Sequence, residues 1–98
     1  MFYKIHHAYR DIIAVCDENL IGKIFEEGKF QLDVKESFFK GETASEAQLI
    51  EIMIDSSKED ATFNIIGENS VKTALKAGIV DKKGIKKINN IPFVLVLV

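Results

Sequence analysis

The sequence has 98 residues, 47% hydrophobic and 29% charged, with a formal net charge of −2. A chain of that size makes one domain, residues 1–98, with a core that needs neither metal nor disulfide. No apolar run approaches the ~18 residues that cross a bilayer, and the weakly acidic balance excludes a protein that coats nucleic acid indiscriminately.

In chain order, Phe2–His7 and Ile12–Cys16 read as strands joined through Ala8-Tyr9-Arg10-Asp11, a hairpin. Asp17-Glu18-Asn19 breaks the second strand. Lys23-Ile24-Phe25 is a short third strand, and Glu26-Glu27-Gly28-Lys29 a turn in which Gly28 takes the positive φ. Phe30, Leu32 and Val34 alternate with Gln31, Asp33 and Lys35, the period of a half-buried strand. Phe38 and Phe39 plug the core edge. Thr43-Ala44-Ser45-Glu46 fits a capping box and predicts a helix over about 44–58, with Ala47, Ile50, Ile54 and Ser57 on its inner face, widened by Leu49 and Met53. Ala61–Ile66 is a strand, Glu68–Ala77 a helix closed by Gly78, and Ile85–Ile88 a short strand. After the turn at Asn89-Asn90-Ile91-Pro92, the wholly apolar Phe93–Val98 is the last strand. This is an α+β pattern: a mainly antiparallel, hairpin-rich sheet with two helices packed on it.

Cys16-Asp17-Glu18, Leu20-Ile21-Gly22-Lys23 and Asn64-Ile65-Ile66-Gly67-Glu68 resemble the archaeal family catalogued as domain of unknown function 424. The likeness extends through the Phe25…Gly28 turn, Phe38-Phe39-Lys40-Gly41, Val71…Ala74…Gly78 and Ile91-Pro92. It implies a small archaeal cytoplasmic protein and supplies no activity. A histidine after that proline is implied for relatives; here the residue is Phe93, so any role for that histidine is missing. The single cysteine, which allows no internal disulfide, suits the same reducing compartment. So does the start, MFYKIHHAYR, which lacks the apolar segment of a signal peptide.

Four groups of residues bear on function. The first is the strand-to-helix corner at Gly67. Backbone N–H groups at a helix start make a ready anion site, and Asn64, Gly67, Glu68 and Asp17 are the residues a small-molecule or catalytic site there would use. Against it, Glu68 already complements the helix dipole and repels phosphate, and neither G-x-x-x-x-G-K-[ST] nor G-x-G-x-x-G is present. A structural corner is the expectation. The second group is His6, His7 and Cys16. With Ala8 paired to Asp11, Cys16 lies opposite Tyr3, three pairs from His6, about 10 Å away and too far to share a metal. No metal and no cofactor is expected, and acidic neighbours discourage a Cys16 thiolate.

The third group is basic. Residues 1–68 carry a net −7 and residues 69–98 a net +5, from Lys72, Lys76, Lys82, Lys83, Lys86 and Lys87. On one face these lysines would track the phosphates of RNA or a ribonucleoprotein. A solvated lysine face is the plainer reading, because no arginine and few aromatics accompany them. The fourth is Phe93–Val98. A strand with no polar face is either central or covered by a homodimer twin or protein partner. The expectation is therefore a binding or adaptor module rather than an enzyme. It acts on RNA through the lysines or on protein through the last strand, with a small-molecule or enzyme site at Gly67 as the alternative.

Overall fold

The computed structural model describes residues 1–97. In chain order the elements are β1 (Phe2–His6), β2 (Ile12–Cys16), β3 (Ile24–Glu27), β4 (Phe30–Asp33), α1 (Glu36–Phe39), β5 (Glu42–Thr43), α2 (Glu46–Lys58), β6 (Thr62–Ile66), α3 (Glu68–Ala77), β7 (Lys86–Ile88) and β8 (Ile91–Val96). Short three-ten turns occupy Glu18–Leu20 and Lys82–Gly84. The fold is α+β and mostly antiparallel, as the pattern predicts. Six strands form one sheet in the order β5-β1-β2-β6-β8-β7, and β3 and β4 form a separate hairpin. One pair, β2 with β6, runs parallel.

Period-two patterning gives the sheet two apolar faces. Ile13, Val15, Phe63, Ile65 and Val94 point to the side covered by α2 and α3, where they meet Leu49, Met53, Val71 and Ala74. Ala14, Cys16 and Ile66 point to the other side and pack with Leu20, Val34 and Phe39, with Phe2, Phe25, Leu32, Phe38 and Phe93 around them. The β3–β4 hairpin and α1 are thus a third layer. The sheet needs both covers because its central strands are apolar on both faces.

Local chemistry sets several boundaries differently from the expectation. The capping box of α2 is built two residues later, from Ser45 and Gln48. The Ser45 hydroxyl accepts from Gln48 N–H at 3.2 Å, and Gln48 Oε1 accepts from Ser45 N–H at 2.9 Å. Thr43 is instead paired to Phe2 in β5. The inner face of α2 centres on Leu49 and Met53, both fully buried, while Ala47 and Ile54 are exposed. The bulkier i, i+4 pair wins the sheet contact because it removes more apolar area from water. Asn89 and Asn90 both take positive φ (54° and 66°), the requirement of a two-residue type I′ turn. That tight turn lets β8 begin at Ile91, two residues before the expected start.

The first hairpin is also one residue off the expected register. Phe2, not Tyr3, faces Cys16, because residues 7–11 make the loop. Cys16 is therefore four pairs from His6, which widens the gap that argues against shared ligation. The last strand is paired to β7 at Ile91–Phe93 and only to β6 from Val94 on. β8 lies between β6 and β7, with Val94 buried but Leu95 55% and Leu97 77% exposed. Val98 lies outside the described residues.

Candidate functional site

At the Gly67 corner, the carboxyl ends of the parallel strands β2 and β6 lie side by side, with Asp17 N–H donating to Ile66 O at 3.2 Å. Such an arrangement often receives a ligand. Here the chain fills it. Asp17, 7% exposed, turns its carboxylate onto the start of α3. Oδ1 accepts from Ser70 N–H at 2.8 Å and from the Ser70 hydroxyl at 2.7 Å, while Oδ2 accepts from Asn69 N–H at 3.1 Å. Asp17 is thus the N-cap of a helix 50 residues away, a role that Gly67 has no side chain to play. Gly67 has φ +113°, and a Cβ there would lie within 2.8 Å of both Asp17 oxygens. Its N–H donates to Pro92 O at 2.8 Å, tying in β8. The carboxylate stands where an anion would sit.

Beside the corner is a shallow depression of about 210 Å³, reached by Asp17 and Glu68 together with Asn19, Asn90 and Pro92. Asn64 is not part of it. The expected quartet of Asp17, Asn64, Gly67 and Glu68 is therefore split: three residues meet at the corner, and the fourth belongs to a different cavity.

That second cavity is a cleft of about 260 Å³ between the sheet and the third layer. Leu32 of β4 and Phe38 and Phe39 of α1 form one wall. Phe93 and Leu95 of β8 form the other, with Asn64 between them and Asp33 at the rim. The register explains the floor. Ala14, Asn64 and Leu95 make one row across β2, β6 and β8, and Cys16, Ile66 and Phe93 make the next. The hairpin and α1 cover the Cys16 row and stop short of the Leu95 row. Asn64 and Leu95 are therefore left half-buried and exposed respectively. Sequence reasoning missed the wall residues. The available signal was Asn64 itself, a carboxamide between the apolar Phe63 and Ile65 of a parallel-paired strand.

The other reactive groups are committed to structure. Cys16 is fully buried, and its thiol is pushed up to about 12, first by burial and then by the Asp17 and Glu18 charges, with the N-terminal ammonium pulling the other way. The His6 ring stacks on Phe38 at 4.4 Å between centroids, and its Nε2 lies 2.9 Å from Phe38 O. The Tyr3 hydroxyl donates to Glu42 at 3.0 Å, and that bond, then burial, then the Glu42 charge raise its pKa above the usual 10.0. Among the described residues no group of three or more His, Cys, Asp or Glu side chains is placed to hold a metal.

All six lysines are exposed, but they do not form one field. Lys76 donates to Glu46 of α2 at 2.8 Å. Alternation along β7 sends Lys87, opposite Pro92, toward the helix side and Lys86, opposite Phe93, toward the cleft side. Lys86 and Gly84 line a small depression of about 180 Å³ that shares Phe93, Val94 and Leu95 with the cleft. Lys82 and Lys83 lie on the turn just before it, and Lys72 projects from α3.

The sequence matches a family model described as protein of unknown function (DUF424) over residues 5–98. In three dimensions the chain is similar to the crystal structure of an uncharacterized conserved protein from Methanopyrus kandleri. The TM-score is 0.86 at 21% identity, over 97% of this chain and 88% of that one, a likeness of fold alone. No curated protein matches the sequence. No described helix is long and apolar enough to cross a membrane.

Proposed function

The chain belongs to the DUF424 family, and on that premise we propose that it is a non-enzymatic binding module that contacts a protein partner through the uncovered part of its second sheet face. One observation carries this reading. Leu95, paired to Asn64 on one side and one residue from the end of β8, is 55% exposed beside an apolar cleft. An exposed apolar surface rimmed by polar groups marks an interaction site. The commitments of Cys16, Asp17 and His6 to packing and hydrogen bonds favour binding over catalysis. The Gly67 corner is the weaker candidate, because Asp17 already takes the donors that a ligand would use.

RNA contact through Lys82, Lys83, Lys86 and Lys87 is the competing outcome. Tagged protein would be used to capture partners from native cells in three forms: unaltered, Leu95→Arg with Leu97→Arg, and all four lysines changed to glutamine. Each capture would be run with and without nuclease. The proposal expects a protein that survives nuclease and is lost with the leucine variant. Capture abolished by nuclease, or lost only with the lysine variant, would overturn it in favour of RNA. Sizing of the unaltered protein shows whether the partner is a second copy.

A further inference from the structure

We infer that the occupant of the cleft is an extended peptide segment combining apolar with acidic side chains, its apolar residues seated against Leu95 and an acidic one set against Lys86. The inference rests on the binding reading above and adds the chemistry of the partner. Three observations carry it.

The first is size. At about 260 Å³ the cleft falls below the ~300–1,000 Å³ of most small-molecule sites, and its lining is largely side chains of Leu and Phe. A peptide needs room for one or two side chains at a time. The second is Asn64. Its carboxamide lies between Leu95 and Ala14 in the strand row, half-buried, with no hydrogen-bond partner among the described residues. A carboxamide offers both a donor and an acceptor, the pair that a passing backbone peptide unit presents in return.

The third observation is charge. The depression holding Lys86 is continuous with the cleft through Phe93, Val94 and Leu95. Lys86 forms no ion pair among the described residues, in contrast to Lys76, and Lys82 and Lys83 stand on the preceding turn. Asp33 sits on the cleft rim. Lys86 brings a positive charge to the side of the cleft formed by β8. An acidic residue of the segment is attracted to Lys86.

A bead-displayed library of ten-residue peptides tests this. Each peptide carries two Leu or Phe residues and either two Asp/Glu or two Lys/Arg at varied positions. Unaltered protein is expected to favour the acidic set by about tenfold at low salt, and the preference to shrink as salt rises. Lys86→Glu should abolish or reverse the preference, and Leu95→Arg should remove binding of both sets. Both positions are exposed, and melting curves identify any variant that has lost its fold. Binding that depends on Leu95 but shows no charge preference, or one unmoved by Lys86→Glu, overturns this inference and leaves the binding reading standing. Retention of no peptide by the unaltered protein also overturns the inference. Peptide binding indifferent to Leu95→Arg, or outcompeted by a single-stranded RNA oligonucleotide in a Lys86-dependent manner, overturns the binding reading itself.

Discussion

Gly67 follows Asn64 by three residues, just past the end of β6, and their surroundings are built on opposite principles. At the Gly67 corner every strong group has found an internal partner. Asp17 caps α3, Gly67 N–H meets Pro92 O, and Val71 N–H closes on Gly67 O. At the Asn64 cleft the carboxamide has no hydrogen-bond partner among the described residues, and Leu95 is left exposed. The corner is a joint, and an ordinary stretch of strand is the exposed surface. The difference is decided by long-range pairing. Asp17 reaches the corner from 50 residues away, and the β3–β4 hairpin runs out before it covers Leu95.

The joint breaks most easily at Gly67. Gly67→Ala places a methyl group against the Asp17 carboxylate at a φ that disfavours any side chain. Strain plus overpacking should lower unfolding free energy by roughly 2–5 kcal/mol in urea titrations; a loss under ~1 kcal/mol would show a corner able to relax. Asp17→Ala comes next, at about 1–3 kcal/mol, because it leaves the Asn69 and Ser70 N–H groups and the Ser70 hydroxyl without acceptors. Asp17→Asn keeps one acceptor and should lose less. The alanine variant also sharpens the contrast with the cleft. With the carboxylate gone, inorganic phosphate should raise the melting temperature of Asp17→Ala and leave the unaltered protein unmoved. Equal responses would mean that Asp17 does not occupy an anion position.

A smaller effect lies beneath the joint, at Cys16. Its thiol keeps its proton in the folded state to about pH 12, against 9.0 ordinarily. The unfolded chain therefore releases the proton first, so this contribution is intact below pH 9 and is lost as pH rises toward 12, at no more than about 1.4 kcal/mol per pH unit. Tyr3, also raised, tilts the same way. Urea titrations at pH 8, 9 and 10 should show a steeper decline for the unaltered protein than for Cys16→Ala. Parallel declines would mean that the thiol ionises freely.

Most of the element pattern was legible because it rests on local rules. Alternation at Phe30–Val34, the glycine after Ala77 and the Asn89-Asn90 pair each specify their element without distant help. What stayed hidden depends on partners far along the chain. Nothing between Glu36 and Thr43 announces that Glu42-Thr43 will pair with Phe2-Tyr3. The sequence between Ile24 and Asp33 shows a hairpin, but not that it leaves the main sheet to become a cover. The Ser45–Gln48 box was present in the sequence and lost to a competing match two residues earlier. At the site, Asp17 and Glu68 were correctly associated with the corner, and Asn64 was not. Proximity in sequence placed it there, while strand alternation turns its side chain to the face where the hairpin ends.

The smallest effects on stability belong to the cleft, and there a near-zero result is the informative one. Leu95→Arg removes a side chain that is already 55% exposed, so little apolar area returns to water, and the long arginine stem can lie along the same surface. Asn64→Ala removes a carboxamide that has no hydrogen-bond partner to strand among the described residues. Each should shift unfolding free energy by about 0.5 kcal/mol or less, even though both sit in the middle rows of the six-stranded sheet. Near-zero costs at both positions would agree with the binding role proposed for the cleft. Should Asn64→Ala cost about 2 kcal/mol, the carboxamide would be a structural group with an internal partner, and the cleft and the corner would be joints alike.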